Sequence, residues 1–302
     1  MAFGDEAIAA ATHIVLAGGV VAVPTETVYG LAGDATSDAA VAAIYAAKGR
    51  PSFNPLIVHV ANPADAFAIG MFDDAARALA AEHWPGPLTL VVPLGEASGI
   101  TRLATAGLRT IALRVPAHRA MQALLAATGK PLAAPSANAS GTISPTRAEH
   151  VLRSLDGRIP LVIDDGPTSG GLESTIVAVE HGALRVLRPG PLVFTDALQA
   201  TVSLIEAPGQ LDAHYAPSKP LRLDAALAHD GEWLIGFGAV AGDATLSADG
   251  DLAEAAARIF DLLHAADAGS APRIAVAPVP ETGLGLAIND RLRRAATGAR
   301  QR

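Results

Sequence analysis

The sequence predicts a mixed α/β protein, and three observations support that prediction. Amphipathic helical segments alternate with short apolar runs through the first two hundred residues. The apolar runs are too uniformly hydrophobic to face water on both sides, which favours a sheet covered by helices. After a proline-rich stretch the alternation resumes on a smaller scale, which indicates a second, smaller α/β domain.

Five helices are predicted in the first part of the chain. Their apolar residues recur at helical spacing, and their ends carry start or stop signals such as Asp38 as an N-cap and Gly18-Gly19 after the first helix. The predicted helices span residues 5–17, 39–47, 73–83, 117–128 and 146–155.

Strands are predicted at the short apolar runs between these helices. They cover residues 20–23, 56–60, 88–92, 110–115, 131–134 and 161–163. A hairpin is predicted over residues 174–180 and 183–187, because His181-Gly182 is a two-residue turn signal.

The stretch of residues 206–220 contains three prolines and a glycine, so it is predicted as an extended connector. It separates a predicted first domain, residues 1–205, from a second domain, residues 221–302. In the second domain, strands are expected at 233–237 and 273–277 and helices at 252–266 and 284–296.

Composition and charge exclude several classes of protein. Half of the 302 residues are apolar and 17% are charged, so the chain can bury a large core. It contains no cysteine, which excludes disulfides, zinc–thiolate sites and thiol catalysis. No signal sequence or run of 18 apolar residues is present, so we expect a cytoplasmic protein without a membrane partner.

The net charge of −8 is shared equally by the two halves of the chain. Residues 1–205 hold 17 acidic and 13 basic residues, and residues 206–302 hold 13 and 9. Neither half has the charge of a nucleic-acid module, and no stable nucleic-acid complex is expected. A cationic site must therefore be a local pocket, which suits a small anionic ligand.

Two polar turns about ninety residues apart are the strongest candidates for such a pocket. Lys48 and Arg50 follow a predicted helix, and a mobile ammonium beside a planar guanidinium suits a polyphosphate or carboxylate. Ser136 and Asn138 follow a predicted strand, where α/β proteins usually place ligand loops. The alternatives are a solvated helix end for the first pair and simple turn formers for the second.

Four further residues are candidates because of their positions on predicted strands. Arg114 shares one strand face with Thr110 and needs an anionic partner, unless it reaches solvent at the strand end. His59 interrupts an apolar strand, where it is either a ligand contact or a hydrogen-bonded core residue. The hairpin should bring Ser174 close to Arg188, in a site or at an exposed sheet rim.

Other phosphate and nucleophile motifs are missing from the sequence. There is no Gly-x-x-x-x-Gly-Lys-Ser/Thr loop, and Ser136 is not in a Gly-x-Ser-x-Gly elbow. Gly236-Phe237-Gly238 with Gly242 has the wrong spacing for a dinucleotide fingerprint and is interpreted as a turn.

Taken together and in this order, the motifs resemble the two-domain form of the threonylcarbamoyl-adenylate synthase family. The resemblance covers essentially the whole chain. Its motifs are Pro24-Thr25-Glu26-Thr27-Val28-Tyr29-Gly30-Leu31, Lys48-Gly49-Arg50-Pro51, Asn54-Pro55-Leu56, His59, Trp84-Pro85-Gly86-Pro87-Leu88-Thr89, Arg114-Val115-Pro116, Pro135-Ser136-Ala137-Asn138, Ser140-Gly141, Ser174-Thr175, Arg188-Pro189-Gly190, His214-Tyr215-Ala216-Pro217 and Gly283-Leu284-Gly285-Leu286-Ala287-Ile288-Asn289-Asp290-Arg291.

The resemblance implies a fold and a reaction. The fold is a YrdC-like mixed twisted sheet with flanking helices and a concave ligand cavity, plus a smaller Rossmann-like α/β C-terminal domain. The reaction is a nucleotidyl transfer in which L-threonine, bicarbonate and ATP give threonylcarbamoyl-AMP and pyrophosphate. Mg²⁺ is expected to accompany ATP without a metal site on the protein, and the product is expected to pass to the machinery that modifies position 37 of tRNA.

The resemblance also implies roles for individual residues. The catalytic set is Lys48, Arg50, Ser136 and Asn138. The ATP-binding set is Arg50, Asn54, Thr110, Ser136, Ser144, Arg188 and Tyr215. The threonine-binding set is Thr27, His59, Arg114, Ala134 and Ser174. The linker with Tyr215 is expected to close over the cavity as a lid.

Three alternatives remain at this stage. The first domain could be an RNA-binding maturation factor without adenylate synthesis, although the charge and the scarcity of aromatic residues argue against it. A carbamoyl-transfer enzyme of hydrogenase maturation has a related domain but carries cysteine-rich zinc modules, which this chain lacks. A structural α/β protein with a relic site is the third alternative.

Overall fold

Two β-sheets organise the chain, one in each of the regions predicted as domains. The computed structural model describes residues 1–51, 53–180, 182–194, 198–199, 207 and 214–300. Within these residues the larger sheet has nine strands and the smaller sheet has four. The fold is therefore the mixed α/β architecture that the sequence predicts.

The helices and strands follow one another as predicted in most of the chain. The helices are α1 (Asp5–Leu16), α2 (Asp38–Lys48), α3 (Pro63–Ile69), α4 (Asp74–His83), α5 (Arg119–Thr128), α6 (Ala148–Leu155), α7 (Leu252–Ala268) and α8 (Leu284–Arg300). The strands are β1 (Val21–Pro24), β2 (Tyr29–Asp34), β3 (Ile57–His59), β4 (Leu88–Pro93), β5 (Thr110–Arg114), β6 (Leu132–Ala133), β7 (Thr175–Glu180), β8 (Ala183–Arg188), β9 (Leu198–Gln199), β10 (Leu221–Arg222), β11 (Glu232–Gly236), β12 (Ala244–Thr245) and β13 (Arg273–Val276).

The larger sheet brings distant polar residues together. Its strand order is β1-β2-β6-β3-β5-β4-β7-β8-β9, with parallel and antiparallel neighbours mixed. Because β3 and β5 run parallel in register, His59 lies opposite Arg114 at the carboxyl ends of both strands. An isolated bridge pairs Gly30 with Ser136, which places the Ser136 turn beside the start of β2.

The smaller sheet is entirely parallel, in the order β10-β13-β11-β12, and packs against α7 and α8. Its apolar core is not confined to the second domain. Val28, Ile143 and Leu172 of the first domain belong to the same buried cluster as Tyr215, Phe260 and Ile288. The two domains therefore share this one apolar cluster, and three first-domain loops pack against the second domain.

Several local predictions need correction. The N-cap of α2 is Ser37, whose hydroxyl accepts from Ala40 N, and not Asp38. Residues 161–163 form no strand and make only a single bridge from Val162 to Ala22. Strand β2 and helix α3 are absent from the sequence prediction; α3 begins with Pro63 after the N-cap Asn62.

Some predictions fall outside the described residues. The 205/206 boundary, most of the predicted linker before His214, and the turn residue His181 belong to this group. The hairpin strands themselves are present as β7 and β8. No helix among the described residues is long and apolar enough to cross a membrane.

Candidate active site

A narrow cavity lies between the larger sheet and two residues of the predicted linker, His214 and Tyr215. Its volume of about 50 Å³ leaves room for a few water molecules but not for a nucleotide. The residues that line it are Thr25, Thr27, Val28, Gly30, Arg50, Ile57, His59, Arg114, Ala134, Pro135, Ser136, Glu173, Ser174, Arg188, His214 and Tyr215.

Lys48 joins the two polar turns that the sequence singles out. Helix α2 ends at Lys48, and Gly49 adopts the left-handed conformation, at φ +59°, that turns the chain back. The buried ammonium donates to the carbonyl oxygens of Ser136 and Asn138, the latter at 2.6 Å, and lies 3.4 Å from Asn138 Oδ1. Lys48 thus fixes the shape of the second turn.

Burial makes this ammonium costly to charge. Desolvation, and then the neighbouring Arg50, hold the pKa of Lys48 well below its usual range. Its three oxygen contacts offset part of that cost. Lys48 does not line the cavity and acts on it through the Ser136 turn.

Arg50 faces the cavity directly. Its Nη2 donates to Pro55 O at 3.0 Å, so the guanidinium is held from one side and is otherwise directed at the cavity. Tyr45 supports the same segment by donating to Asn54 O at 3.0 Å. Burial lowers the pKa of Arg50 to about 10, which leaves it cationic at neutral pH.

Asn138 and Ser136 have different roles in the second turn. Ser136 lines the cavity, whereas Asn138 does not. The Asn138 amide donates to Thr142 O at 2.9 Å and so closes the loop that follows. A bridge pairs Thr142 with Ala216, so this loop also contacts the described part of the predicted linker.

A second cation, Arg114, lies elsewhere in the cavity wall and is held on three sides. Its guanidinium donates to Gly86 O at 3.2 Å, to Thr27 Oγ1 at 3.0 Å and to Glu26 Oε1 at 2.6 Å. Desolvation would raise the pKa of Glu26, but the charge and hydrogen bonds of Arg114 outweigh it and lower that pKa. The anionic partner that a buried Arg114 needs is therefore internal.

His59 stands beside Arg114 as a neutral imidazole. Burial, and then the charge of Arg114, lower the pKa of His59 to about 3. Its Nδ1 is buried without a hydrogen-bond partner in the described part of the chain. Ala134, whose N–H bonds to Ile57 O, lines the cavity nearby.

The hairpin brings Arg188 onto Ser174 as predicted. Arg188 donates to the carbonyl oxygen of Ser174 at 2.9 and 3.1 Å and to its hydroxyl at 3.1 Å. The Ser174 hydroxyl also lies 2.7 Å from Thr89 Oγ1. Arg188 is only 5% exposed, so this corner is part of the cavity and not a sheet rim.

His214 and Tyr215 of the predicted linker close one side of the cavity. Tyr215 is 1% exposed, and its ring packs against His214 with centroids 4.1 Å apart. Tyr215 has a positive φ of 63°, which is unusual for a residue with a side chain. Ala216 N bonds to Gly141 O at 2.9 Å and so fastens the segment to the first domain.

The second domain contributes a cation of its own. Arg291 on α8 is fully buried, donates from Nε to Glu173 Oε2 at 2.8 Å, and lies 5.3 Å from the centre of the Tyr215 ring. Glu173 also accepts a hydrogen bond from Ser144. Because Glu173 lines the cavity, Arg291 is connected to the cavity wall.

The polar residues around the cavity form two groups, named the Arg114 end and the Arg50 end. The Arg114 end is defined by Thr27, His59 and Arg114 with Glu26. The Arg50 end is defined by Arg50, Ser136, Arg188 and Tyr215 with His214. The groups are not isolated from each other, because Arg114 is one of the smaller causes, after burial, that lower the pKa of Arg188. Burial, and then Arg50, Lys48, Arg188 and Arg291, hold the pKa of His214 well below its usual range, whereas Arg114 is the cation that lowers the pKa of His59.

Buried polar atoms without partners concentrate here. Seven such side-chain atoms occur among the described residues, and five belong to this site. They are Asn54 Oδ1, His59 Nδ1, His214 Nδ1, Tyr215 Oη and Arg291 Nη2. Since buried polar groups are normally hydrogen-bonded, this concentration is typical of a ligand site.

The predicted site residues fall into two groups. Those that line the cavity are Arg50, Ser136, Arg188, Tyr215, Thr27, His59, Arg114, Ala134 and Ser174. Those that do not line it are Lys48, Asn138, Asn54, Thr110 and Ser144. Lys48, Asn138, Asn54 and Ser144 hold residues of the wall, whereas Thr110 lies at the start of β5, opposite Pro93 and four residues before Arg114.

Besides His214, which it placed in the lid, sequence reasoning missed four polar or charged side chains of the site. Thr25 and Glu173 line the cavity, Glu26 pairs with Arg114, and Arg291 pairs with Glu173. Three of the four carry a charge inside or directly beside a largely uncharged motif, and that is the signal that could have found them. Among the described residues, no group of three or more His, Cys, Asp or Glu could hold a metal ion.

Comparisons with known proteins identify the family of this chain. Residues 13–190 match the family model described as "Telomere recombination" (Sua5, YciO and YrdC), and residues 184–297 match the "Threonylcarbamoyl-AMP synthase, C-terminal domain". The threonylcarbamoyl-AMP synthase of Bacillus subtilis is 38% identical, with 97% of this chain and 94% of that protein covered. The corresponding Pyrococcus abyssi protein is 36% identical, with 92% and 91% covered.

A solved structure supports the same assignment. The crystal structure of P. abyssi Sua5 complexed with L-threonine superposes with a TM-score of 0.88 at 35% identity, covering 97% of this chain and 94% of that one. The superposition includes both domains. The chain belongs to the threonylcarbamoyl-AMP synthase family.

Proposed function

We propose that this protein synthesises threonylcarbamoyl-AMP from L-threonine, bicarbonate and ATP and releases pyrophosphate. The product would serve the threonylcarbamoyl modification of the adenosine at position 37 of tRNA. One observation carries the proposal: a single cavity has Arg114 at one end and a cluster of cations at the other, with unpartnered polar atoms at both. That arrangement suits an amino acid beside a nucleotide.

The Arg114 end suits the amino acid. A guanidinium has five N–H groups, and Arg114 uses three of them on Gly86, Thr27 and Glu26. Two remain for a carboxylate, which a guanidinium binds well because both groups are planar. The P. abyssi structure is a complex with L-threonine, and this similarity supports threonine as the amino acid for the present chain.

The Arg50 end suits the triphosphate. Arg50 and Arg188 line the cavity, and Lys48 and Arg291 lie close behind them. Fixed cations in a site that excludes water stabilise the charge that develops as the α-phosphate is attacked. They also hold the reacting groups in line, which supplies most of the catalysis in transfers at phosphorus.

The reaction proceeds in two chemical stages. The threonine amine combines with bicarbonate to give a carbamate and water, and a carbamate oxygen then attacks the α-phosphate of ATP and displaces pyrophosphate. The carbamate and the mixed anhydride are both fragile in water. The segment around His214 and Tyr215 would move outward to admit ATP and then pack over the bound substrates, which would exclude water from them.

Magnesium is proposed to enter with ATP. Both oxygens of Glu173 are already engaged, one by Ser144 and the other by Arg291, so this carboxylate is not free to bind a cation. Mg²⁺ is commonly held largely by substrate phosphates and water. It would neutralise charge on the departing pyrophosphate.

The test is to incubate the protein with threonine, bicarbonate, ATP and Mg²⁺ and to measure pyrophosphate. Release should require all three substrates, and the adenylate should appear in equal amount. Threonine-independent pyrophosphate release, or none, would contradict the proposal. Binding of RNA without consumption of ATP would instead support the maturation-factor alternative.

A further inference from the structure

Glu26 has no place in the reaction as proposed, yet it makes the closest ion pair of the cavity wall. Its Oε1 lies 2.6 Å from Arg114 Nη2, and its Oε2 accepts from Ala117 N at 3.1 Å. Its side chain is 16% exposed and does not line the cavity. Glu26 therefore acts on the cavity through Arg114.

The position of Glu26 is fixed from both directions along the chain. Its carbonyl oxygen accepts from Gly170 N at 2.7 Å, and a Cβ on Gly170 would lie only 2.9 Å from that oxygen. The next residue, Thr27, bonds to Thr25 through their hydroxyls at 2.7 Å. Glu26 and Thr27 thus hold Arg114 as one rigid unit.

The two ends of the cavity differ in charge because of this carboxylate. At the Arg114 end, one guanidinium is matched by one carboxylate and His59 is neutral. Around the Arg50 end, Arg50, Arg188 and Arg291 outnumber the two nearby carboxylates, Glu173 and Asp290. One end is close to neutral, and the other is net positive.

The two proposed substrates differ in the same way. Threonine is a zwitterion with no net charge at neutral pH, whereas ATP and pyrophosphate carry several negative charges. A fixed, uncompensated guanidinium would attract phosphates at least as strongly as the carboxylate of a zwitterion. A selective amino-acid site therefore needs to cancel that attraction while keeping the directed N–H groups.

We propose that Glu26 is a specificity-determining positioning residue, which cancels the net charge of Arg114 so that this end accepts a zwitterionic α-amino acid and rejects phosphate anions. The inference rests on the proposed function, because it takes threonine as the ligand. The carboxylate of Glu26 orients the guanidinium of Arg114 and also cancels its long-range attraction for anions. The fixed charges then direct each substrate to its own end of the cavity.

The experiment is a calorimetric titration of threonine into the full chain, with the Arg50 end saturated by a non-hydrolysable ATP analogue. It is run with and without millimolar inorganic phosphate. For the unmodified protein, phosphate should change the dissociation constant of threonine by less than about twofold, since ionic screening alone is weak for a buried pair. For Glu26→Gln, phosphate should raise it by about tenfold, the effect of one uncompensated charge at close range.

Two variants separate this role from a purely structural one. Glu26→Asp keeps the charge and should stay insensitive to phosphate even if threonine binds less tightly. Glu149→Gln removes a carboxylate from α6 whose side chain is 70% exposed, so it changes the net charge equally without touching the site. It should behave like the unmodified protein.

The outcomes decide the inference in every case. If phosphate competes with threonine in the unmodified protein, or fails to compete in folded Glu26→Gln, the inference is wrong. If Glu26→Gln does not fold, the unmodified protein and Glu26→Asp still decide, because competition by phosphate in either one overturns it. If the unmodified protein binds no threonine, the proposed function fails, and direct phosphate titration of both proteins tests Glu26 on its own.

Discussion

The Nε of Arg291 lies 2.8 Å from Oε2 of Glu173, which ties the last helix of the chain to the wall of the cavity. Both side chains are almost completely buried, Arg291 at 0% and Glu173 at 7% exposure. Desolvation would raise the pKa of Glu173, but the charges of Arg291 and Arg188 and the hydrogen bonds outweigh it and keep the carboxylate ionised. The stability of the site therefore depends on a residue of the second domain.

We expect Arg291→Met to destabilise the protein by about 3–5 kcal/mol, because it leaves a buried carboxylate without its partner. Chemical denaturation measures this free energy of unfolding. Arg293→Met is the matched control, since Arg293 pairs with Glu281 on the surface and its loss should cost less than about 1 kcal/mol. An equal loss of unfolding free energy in the two variants would show that the buried ion pair contributes no more to stability than the surface pair.

Lys48→Ala and Arg50→Ala should each reduce pyrophosphate release at least tenfold, as expected when a fixed positive charge or the loop that it holds is lost. The physical reasons differ: Arg50 faces the cavity, whereas Lys48 shapes the Ser136 turn through two carbonyl contacts. Lys130→Ala, a side chain that is 43% exposed, is the control for removing a lysine. Normal rates in either test variant would place the chemistry elsewhere.

Replacing residues 214–217 by a Gly/Ser tract should raise the KM for ATP at least tenfold, because the residues that complete and close the site at the Arg50 end would be lost. Binding of threonine at the Arg114 end should change much less. Steady-state kinetics and threonine titration measure the two effects. The same replacement at the mostly exposed residues 226–229 is the control, and an unchanged KM in the 214–217 variant would refute the lid.

Buried histidines should make the protein sensitive to mild acid. Burial lowers the pKa values of His59 and His150 to about 3 and that of His264 to about 4, each below the ordinary value of 6.5. Between pH 6.5 and these lowered pKa values, the three histidines bind protons in the unfolded chain but not in the folded chain. The contribution of these neutral histidines to the free energy of unfolding is therefore fully present above pH 6.5 and decreases as the pH falls towards 4.

His264→Gln tests this dependence, because its ring stacks on His150 across the domain boundary with centroids 3.8 Å apart. Over pH 6 to 5, the variant should reduce the pH slope of the unfolding free energy by about 1.4 kcal/mol per pH unit, the value for one proton. Denaturation at several pH values measures the slope. An unchanged slope in His264→Gln would contradict the prediction.

The sequence is sufficient for the elements whose signals are local. Helices α7 and α8 and strands β7 and β8 agree with their predicted bounds to within a few residues at each end, because their apolar periodicity and turn residues point to the same structure. The meeting of Lys48 with Asn138 is also expected from motif order, and the 2.6 Å contact between them agrees with it. Local signals and motif order agree at these positions.

Other features depend on tertiary structure and cannot be seen in the sequence. Residues 161–163 resemble a strand, but they meet β1 at only one bridge, so no strand forms. Ser37 rather than Asp38 caps α2 because its hydroxyl reaches Ala40 N. Glu26 and Glu173 each find an arginine partner far away in sequence, and no local pattern predicts such a pairing.

The apolar cluster shared by the two domains limits how freely the second domain can be exchanged. Val28, Ile143 and Leu172 each adjoin a polar residue of the site, namely Thr27, Ser144 and Glu173, and each is packed by the second domain. Substitutions in α7 or α8 would thus shift the backbone of the first-domain loops and, with it, the residues that bind the substrates. Exchanging a second domain between relatives should therefore disturb catalysis even when every active-site side chain is kept.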